Sequence, residues 1–207
     1  NRTSKDFEPL SDVLERGFVQ IEKLFNNKGE VTGVPSGFTD LDAKTSGFQS
    51  GDMILIAARP SMGKTTFALN IAENAALREG KSVVIFSLEM SKEQLAYKLL
   101  CSEANVDMLK LRTGTLDDKD WENIAMATGP LSKAKIYIDD TAGVTIMEMR
   151  SKCRRLKMEY GIDLIVIDYL QLMSGGAGSD GNRQQEVSEI SRSIKALAKE
   201  MECPVIA

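Results

Sequence analysis

The sequence contains no histidine, and that absence removes whole classes of chemistry. A Ser–His–Asp triad, a histidine general base and most histidine-rich metal sites cannot be built from it. Cysteine is also scarce. Cys101, Cys153 and Cys203 are scattered, odd in number and free of CxxC spacing, which argues against a disulfide framework or a cysteine zinc site. Reduced thiols in a cytoplasm are the expectation. No apolar run approaches the roughly 20 residues that span a bilayer, and the first residues do not read as a signal segment. An overall basic field is missing too, since the net charge is −4. That removes the simplest argument for nucleic-acid binding without forbidding a local basic groove. Catalysis is left to carboxylates, Lys, Arg and a hard metal ion held by oxygen ligands.

What is present suits one soluble-type domain: 207 residues, 43% hydrophobic and 27% charged. Residues 6–27 predict an amphipathic helix, with Leu10, Leu14, Phe18, Ile21 and Phe25 at spacings of three and four. Whether it packs on its own domain or on a neighbouring copy is open at this point. Residues 33–51 are turn-rich, punctuated by Gly33, Pro35, Gly37, Gly47 and Gly51. Strands are expected at 53–57, 82–87, 135–138, 164–167 and 204–207. Helices are expected at 65–78, 92–102, 117–128, 146–160 and 184–202, with a Gly/Ser-rich loop at 174–182. The strands are short, β-branched and continuously apolar, as in a sheet covered on both faces. Their alternation with helices predicts an α/β fold with a mostly parallel central sheet. The chain stops on an apolar strand, so a larger domain with a missing C-terminal part is expected.

Residues 58–65 read Ala58-Arg59-Pro60-Ser61-Met62-Gly63-Lys64-Thr65, a G-x-x-x-x-G-K-[ST] pattern with Ala for the first Gly. Set between a strand and a helix, such a loop aims backbone N–H groups and a helix dipole at phosphates. Gly63 lets the backbone approach closely. Lys64 would reach the β- and γ-phosphates, the Thr65 hydroxyl would hold Mg²⁺, and Thr66 would serve near the α-phosphate.

Magnesium-dependent phosphoryl transfer also needs a carboxylate near the metal and a group that positions the attacking water. Asp168 closes the aliphatic run Leu164–Ile167 and is preferred as the metal carboxylate. Asp139 and Asp140 close a shorter run, where capping or turn formation is the plainer explanation. Glu89, just beyond the strand at 82–87, is the candidate base, although it could equally lie in the first turn of the next helix.

The stretches Ala57–Thr65, Ser87-Leu88-Glu89-Met90-Ser91 and Ile167-Asp168-Tyr169-Leu170-Gln171-Leu172-Met173 closely resemble the bacterial replicative hexameric DNA helicases of the DnaB type. Thr32–Phe38 and Arg112-Thr113-Gly114 support the resemblance. It implies a RecA-like P-loop NTPase fold over 33–207, with 1–32 as an N-terminal linker helix and loop. It further implies Glu89 as catalytic base and Asp168 as the metal carboxylate. The implied protein is a homo-hexamer that binds ATP between neighbours and translocates 5′→3′ on single-stranded DNA. A helicase loader and primase would be its further partners. Lys98 falls where relatives place a basic residue near the nucleotide, and Arg183 beside the 174–183 loop is a candidate DNA contact. Against this stand a recombination or repair ATPase of the same fold and a nucleotide-gated assembly module.

Overall fold

A computed structural model describes residues 7–26, 31–59, 61–168 and 183–207. Five strands form one sheet: β1 (Met53–Ile54), β2 (Val83–Ser87), β3 (Ile136–Asp139), β4 (Leu164–Asp168) and β5 (Val205–Ile206). Their order is β1-β5-β4-β2-β3 and every pairing is parallel. The helices are α1 (Leu10–Asn26), α2 (Thr39–Thr45), α3 (Lys64–Glu73), α4 (Lys92–Ala104), α5 (Met108–Thr113), α6 (Asp118–Lys133), α7 (Ile146–Tyr160) and α8 (Arg183–Met201). One π turn, Asn74–Arg78, continues α3.

Period-two alternation along the strands splits the core into two layers. Val83, Ile85, Leu164, Val166 and Ile206 face α3 and α4, packing on Leu69, Ile71, Ala72, Leu95 and Leu99. Val84, Phe86, Ile165, Ile167 and Val205 face α7 and α8, packing on Met149, Cys153, Ile194, Leu197 and Met201. Crossovers between parallel strands are right-handed, so connections running opposite ways along the sheet put their helices on opposite faces. The β1-to-β2 path runs one way, and the paths from β3 to β4 and β4 to β5 run the other. The expected parallel sheet, covered on both faces, is therefore what forms. All three cysteines are buried and free, and among the described residues no helix is long and apolar enough to cross a membrane.

The turn-rich segment holds more structure than its glycines suggest. Val34 and Phe48 form an antiparallel bridge, and between them lies α2. Asp40 and Asp42 in its first turn and Lys44 in its last complement the helix dipole. Asp42 also reaches back, accepting hydrogen bonds from Ser36 N at 2.8 Å and Gly37 N at 3.1 Å. The segment is fastened to α3 twice. Asn74 Nδ2 donates to the Ser36 carbonyl at 3.0 Å, and the Phe38 and Phe67 rings lie 5.0 Å apart. Gly37 has φ +81, and a Cβ there would stand 2.2 Å from the Asn74 side chain, so this position demands glycine.

Three other elements depart from expectation. A short α5 forms where none was expected, capped by the Asp107 side chain and closed by left-handed Gly114. Helix α6 continues past Gly129 and Pro130 to Lys133, because Leu131 and Ala134 still pack against the core. Strand β1 is two residues long rather than five; beyond it Ile56 N still bonds to the Ala207 carbonyl at 2.9 Å. Helix α1 forms as expected, yet Leu10, Leu14, Phe18, Ile21 and Phe25 are all exposed. Its apolar stripe therefore lies largely open to solvent.

Candidate nucleotide-binding site

In an all-parallel sheet every strand ends on the same side, so the segments following β1, β2, β3 and β4 gather there. The loop after β1 leads into α3, whose N-cap is Gly63 in the left-handed region (φ 84, ψ 16). Ser61 is left-handed as well, at φ 64. A non-glycine residue held there marks a loop shaped by its surroundings, and Met62 N closes it onto the Arg59 carbonyl at 3.3 Å. Gly63 is needed for its φ and not for space, since a Cβ there would meet nothing within 4 Å.

Helices α4, α6 and α7 begin with reciprocal capping boxes at Ser91, Asp117 and Thr145. The start of α3 has no side-chain cap. A helix start without a side-chain cap is the arrangement in which an N-terminus binds phosphate. Ala58, Arg59, Ser61, Met62, Gly63 and Thr66 are exposed, while Lys64 and Thr65 are half-buried. Pro60 lies outside the described residues.

Asp168 ends β4 opposite Ser87 of β2. It continues the alternation of Leu164 and Val166, which places it on the face that α3 covers. Only 5% of Asp168 is exposed, and its Oδ2 is buried with no hydrogen-bond partner among the described residues. A buried carboxylate oxygen without a donor is rare and expects one from outside the chain. With the Thr65 hydroxyl it offers the hard oxygen donors that magnesium takes, so the residues present fit that ion.

Glu89 is exposed in a bend between β2 and α4. Two serines fix the bend. Ser87 Oγ donates to the Met90 carbonyl at 2.7 Å and accepts from Met90 N at 3.2 Å. Ser91 caps α4, accepting from Gln94 N at 3.3 Å. Because the helix begins only at Lys92, Glu89 is not a first-turn residue, and that local explanation falls away. Leu88 N donates to the Asp168 carbonyl at 2.7 Å, so Glu89 follows directly on a backbone link to Asp168. The strands β2 and β4 lie about 4.8 Å apart, and β1 is separated from β4 by the single strand β5, roughly 10 Å in all.

Asp139 and Asp140 are already engaged. Asp139 accepts from Lys152 Nζ at 2.5 Å and from Thr141 N at 2.9 Å. Burial raises its carboxyl, but these hydrogen bonds outweigh burial and hold it below the usual carboxylate range. Asp140 accepts from Lys92 N at 3.0 Å, at the start of α4. Both read as structural. Lys98 is half-buried and lines a cavity of about 310 Å³ together with Thr66. Asn70, Glu73 and Ser102 also line that cavity, and sequence reasoning passed over them. The signal was there, since Thr66, Asn70 and Glu73 follow i, i+4, i+7 spacing in an otherwise apolar helix. Arg183 begins α8, and the Tyr169–Met173 block and the 174–182 loop lie outside the described residues. Among the described residues no group of three or more Cys, Asp or Glu side chains is placed to hold a metal.

A glycine-lysine-threonine turn from strand to helix at the carboxyl edge of a parallel sheet, with an acid closing β4 at the same edge, defines a P-loop domain of the RecA-like α/β fold. One solved ATPase domain superposes with a TM-score of 0.90 at 36% identity, covering 98% of this chain and 71% of that one. A DnaB-like replicative helicase, solved in a study of its interactions with primase, gives 0.84 at 36% identity, covering 99% of this chain and 49% of that one. The DnaB-like helicase C terminal domain profile matches residues 33–207, and the chain belongs to that family. It is 54% identical over 206 residues to the replicative DNA helicase DnaC of Bacillus subtilis and 57% identical over 201 residues to DnaB of Geobacillus stearothermophilus. These alignments take in 100% and 97% of this chain but 45% and 44% of the relatives, so it spans less than half their length.

Proposed function

We propose that this chain is the motor of an ATP-dependent replicative DNA helicase that moves 5′→3′ along single-stranded DNA. The observation that carries the reading is the gathering of the Gly63–Thr65 helix start, Glu89 and Asp168 at one edge of a parallel sheet, in a chain of the DnaB-like family. The α3 amides and Lys64 hold the phosphates of ATP. Thr65 and Asp168 would hold magnesium, which when bound would supply positive charge to the phosphate oxygens. Glu89 takes a proton from a water, whose oxygen attacks the γ-phosphorus as the bond to the β-phosphate oxygen breaks, leaving ADP and phosphate.

In the same reading 1–32 is a linker, 33–207 the ATPase domain, and six copies form the working ring in the cytoplasm. The exposed stripe on α1 supports the ring, because an apolar face of this kind is normally covered by a partner. Lys98 lies near the nucleotide and Arg183 near the DNA path. A loader and primase would act on the ring. DNA grip through the backbone makes binding salt-sensitive and nearly blind to sequence.

The test is ATP turnover by the intact protein with and without single-stranded DNA. Stimulation is expected, along with its complete loss in Lys64→Ala. Turnover indifferent to DNA would refute the helicase reading, and near-normal rates in Lys64→Ala would remove the phosphate loop from the site.

A further inference from the structure

A cavity of about 560 Å³ opens at the β3 edge of the sheet, the edge opposite β1. Helices α7 and α8 cover β2, β4 and β5, but no β3 side chain joins the core layer beneath them. Tyr137 and Asp139, in register with Val84 and Phe86, share that face and stay half-buried. Val84, Phe86 and Leu156 form the apolar floor of the cavity. Lys152, Arg155 and Glu159 form its α7 wall, one stripe at i, i+3 and i+7.

The strand beside the cavity is open to pairing. Val83 N donates to the Lys135 carbonyl, which fixes the phase of the parallel ladder. Residues 135, 137 and 139 turn their backbone groups to β2. Ile136 and Ile138 therefore aim theirs off the sheet, and no strand lies beyond β3 among the described residues. Neither position carries the proline or charge that commonly blunts an edge.

The charges of the groove are unevenly matched. Asp139 and Lys152 pair with each other, and Glu159 sits against the Tyr160 hydroxyl, raising it above its ordinary range. Arg155 is exposed and has no ion-pair partner among the described residues. Lys135, exposed as well, stands two residues before Tyr137 on the same face.

We propose that β3 and this cavity take up an extended, acidic segment of a partner protein as a further strand. Backbone pairing with Ile136 and Ile138 holds the segment, and every second side chain of it then points into the cavity. One of these brings a carboxylate to Arg155. The next, two residues along, is aliphatic and rests on Leu156 and Tyr137.

The test uses the intact protein and blocked, dye-labelled octapeptides in which threonine alternates with leucine. One central leucine is replaced by glutamate, glutamine or lysine, and fluorescence anisotropy reads the affinity. The glutamate peptide should bind about tenfold more tightly than the glutamine peptide, the effect of one charge-assisted hydrogen bond. The lysine peptide should be weakest. In Arg155→Gln the glutamate and glutamine peptides should bind alike. Amide exchange at Ile136 and Ile138 should slow when the glutamate peptide is bound. Ile136→Pro removes an outward N–H at the first position of the strand, where proline is tolerated, and should weaken all three peptides. Circular dichroism reports that each variant folds. Absence of binding by every peptide at about 1 mM would overturn the proposal. Equal affinity of the glutamate and glutamine peptides would do the same, as would a gap that survives Arg155→Gln. Binding that leaves exchange at Ile136 and Ile138 unchanged would refute the added strand. If Ile136→Pro does not fold, Arg155→Gln and the exchange measurement decide.

Discussion

Replacing Asp42 by Ala probes whether the segment before β1 is a built part of the ATPase domain. The carboxylate accepts two backbone hydrogen bonds, from Ser36 N at 2.8 Å and Gly37 N at 3.1 Å. Ser36 is fully buried, so its amide has no water to turn to. Hydrogen bonds to a charged acceptor contribute about 1.5–3 kcal/mol each, and the pair therefore gives about 3–6 kcal/mol. For a chain of this size each kcal/mol shifts Tm by about 2–4 °C, so Asp42→Ala should melt roughly 6–24 °C lower. Asp42→Asn keeps one carbonyl acceptor and should recover about half. Urea titration checks both, with the midpoint falling and the m-value unchanged. The effect should extend to function, because the same loop holds Phe38 against Phe67 on the phosphate helix. A loss under about 1 kcal/mol in Asp42→Ala, or equal losses in the two variants, would refute the reasoning.

Glu89→Gln should still bind ATP with near-normal affinity but hydrolyse it about 10²-fold or more slowly, read by single-turnover phosphate release. Unchanged turnover would reassign the base. Glu200 ties α8 to α7, accepting from Arg150 Nε at 2.8 Å and from Arg154. Burial raises its carboxyl, but the Arg154 and Arg150 hydrogen bonds outweigh that and hold it below the usual range. A carboxylate whose folded pKa is depressed contributes stability above its unfolded value and loses it as pH falls through the folded one. The advantage of wild type over Glu200→Gln in urea midpoint should therefore be full at neutral pH and vanish in acid. An advantage independent of pH would argue for packing instead.

The alternation of strands and helices was legible because continuous apolar runs such as Leu164–Ile167 have one outcome in a doubly covered sheet. The turn from β1 into α3 was legible because Gly63, the left-handed N-cap, is followed at once by the helix start Lys64-Thr65. What escaped was held together by long-range contacts. Asp42 and Asn74 each fasten the 34–38 segment through the backbone of Ser36 or Gly37, and no local pattern announces either bond. Helices α2 and α5 are too short to show a hydrophobic period, and packing supports them more than propensity does. Glu89 was ambiguous until the cap at Ser91 fixed where α4 begins. Glu73 shares the i, i+4, i+7 spacing of Thr66 and Asn70, but that spacing gives no sign of how deeply its carboxylate is buried.

The pairing of β1 with β5 bears on how this protein comes to be folded during its synthesis. Met53 registers with Val205 and Ile54 with Ile206, and β5 is the only strand beside β1 in the described sheet. The strand that carries the phosphate loop therefore has no docking place until the ribosome has added about 150 further residues, a wait of about 8–30 s. Through that interval β2, β3 and β4 can already pair with one another, while β1 stays an exposed apolar segment. The loop that follows β1 is thus among the last parts to take its place, and the nascent chain before that moment is the form most open to aggregation.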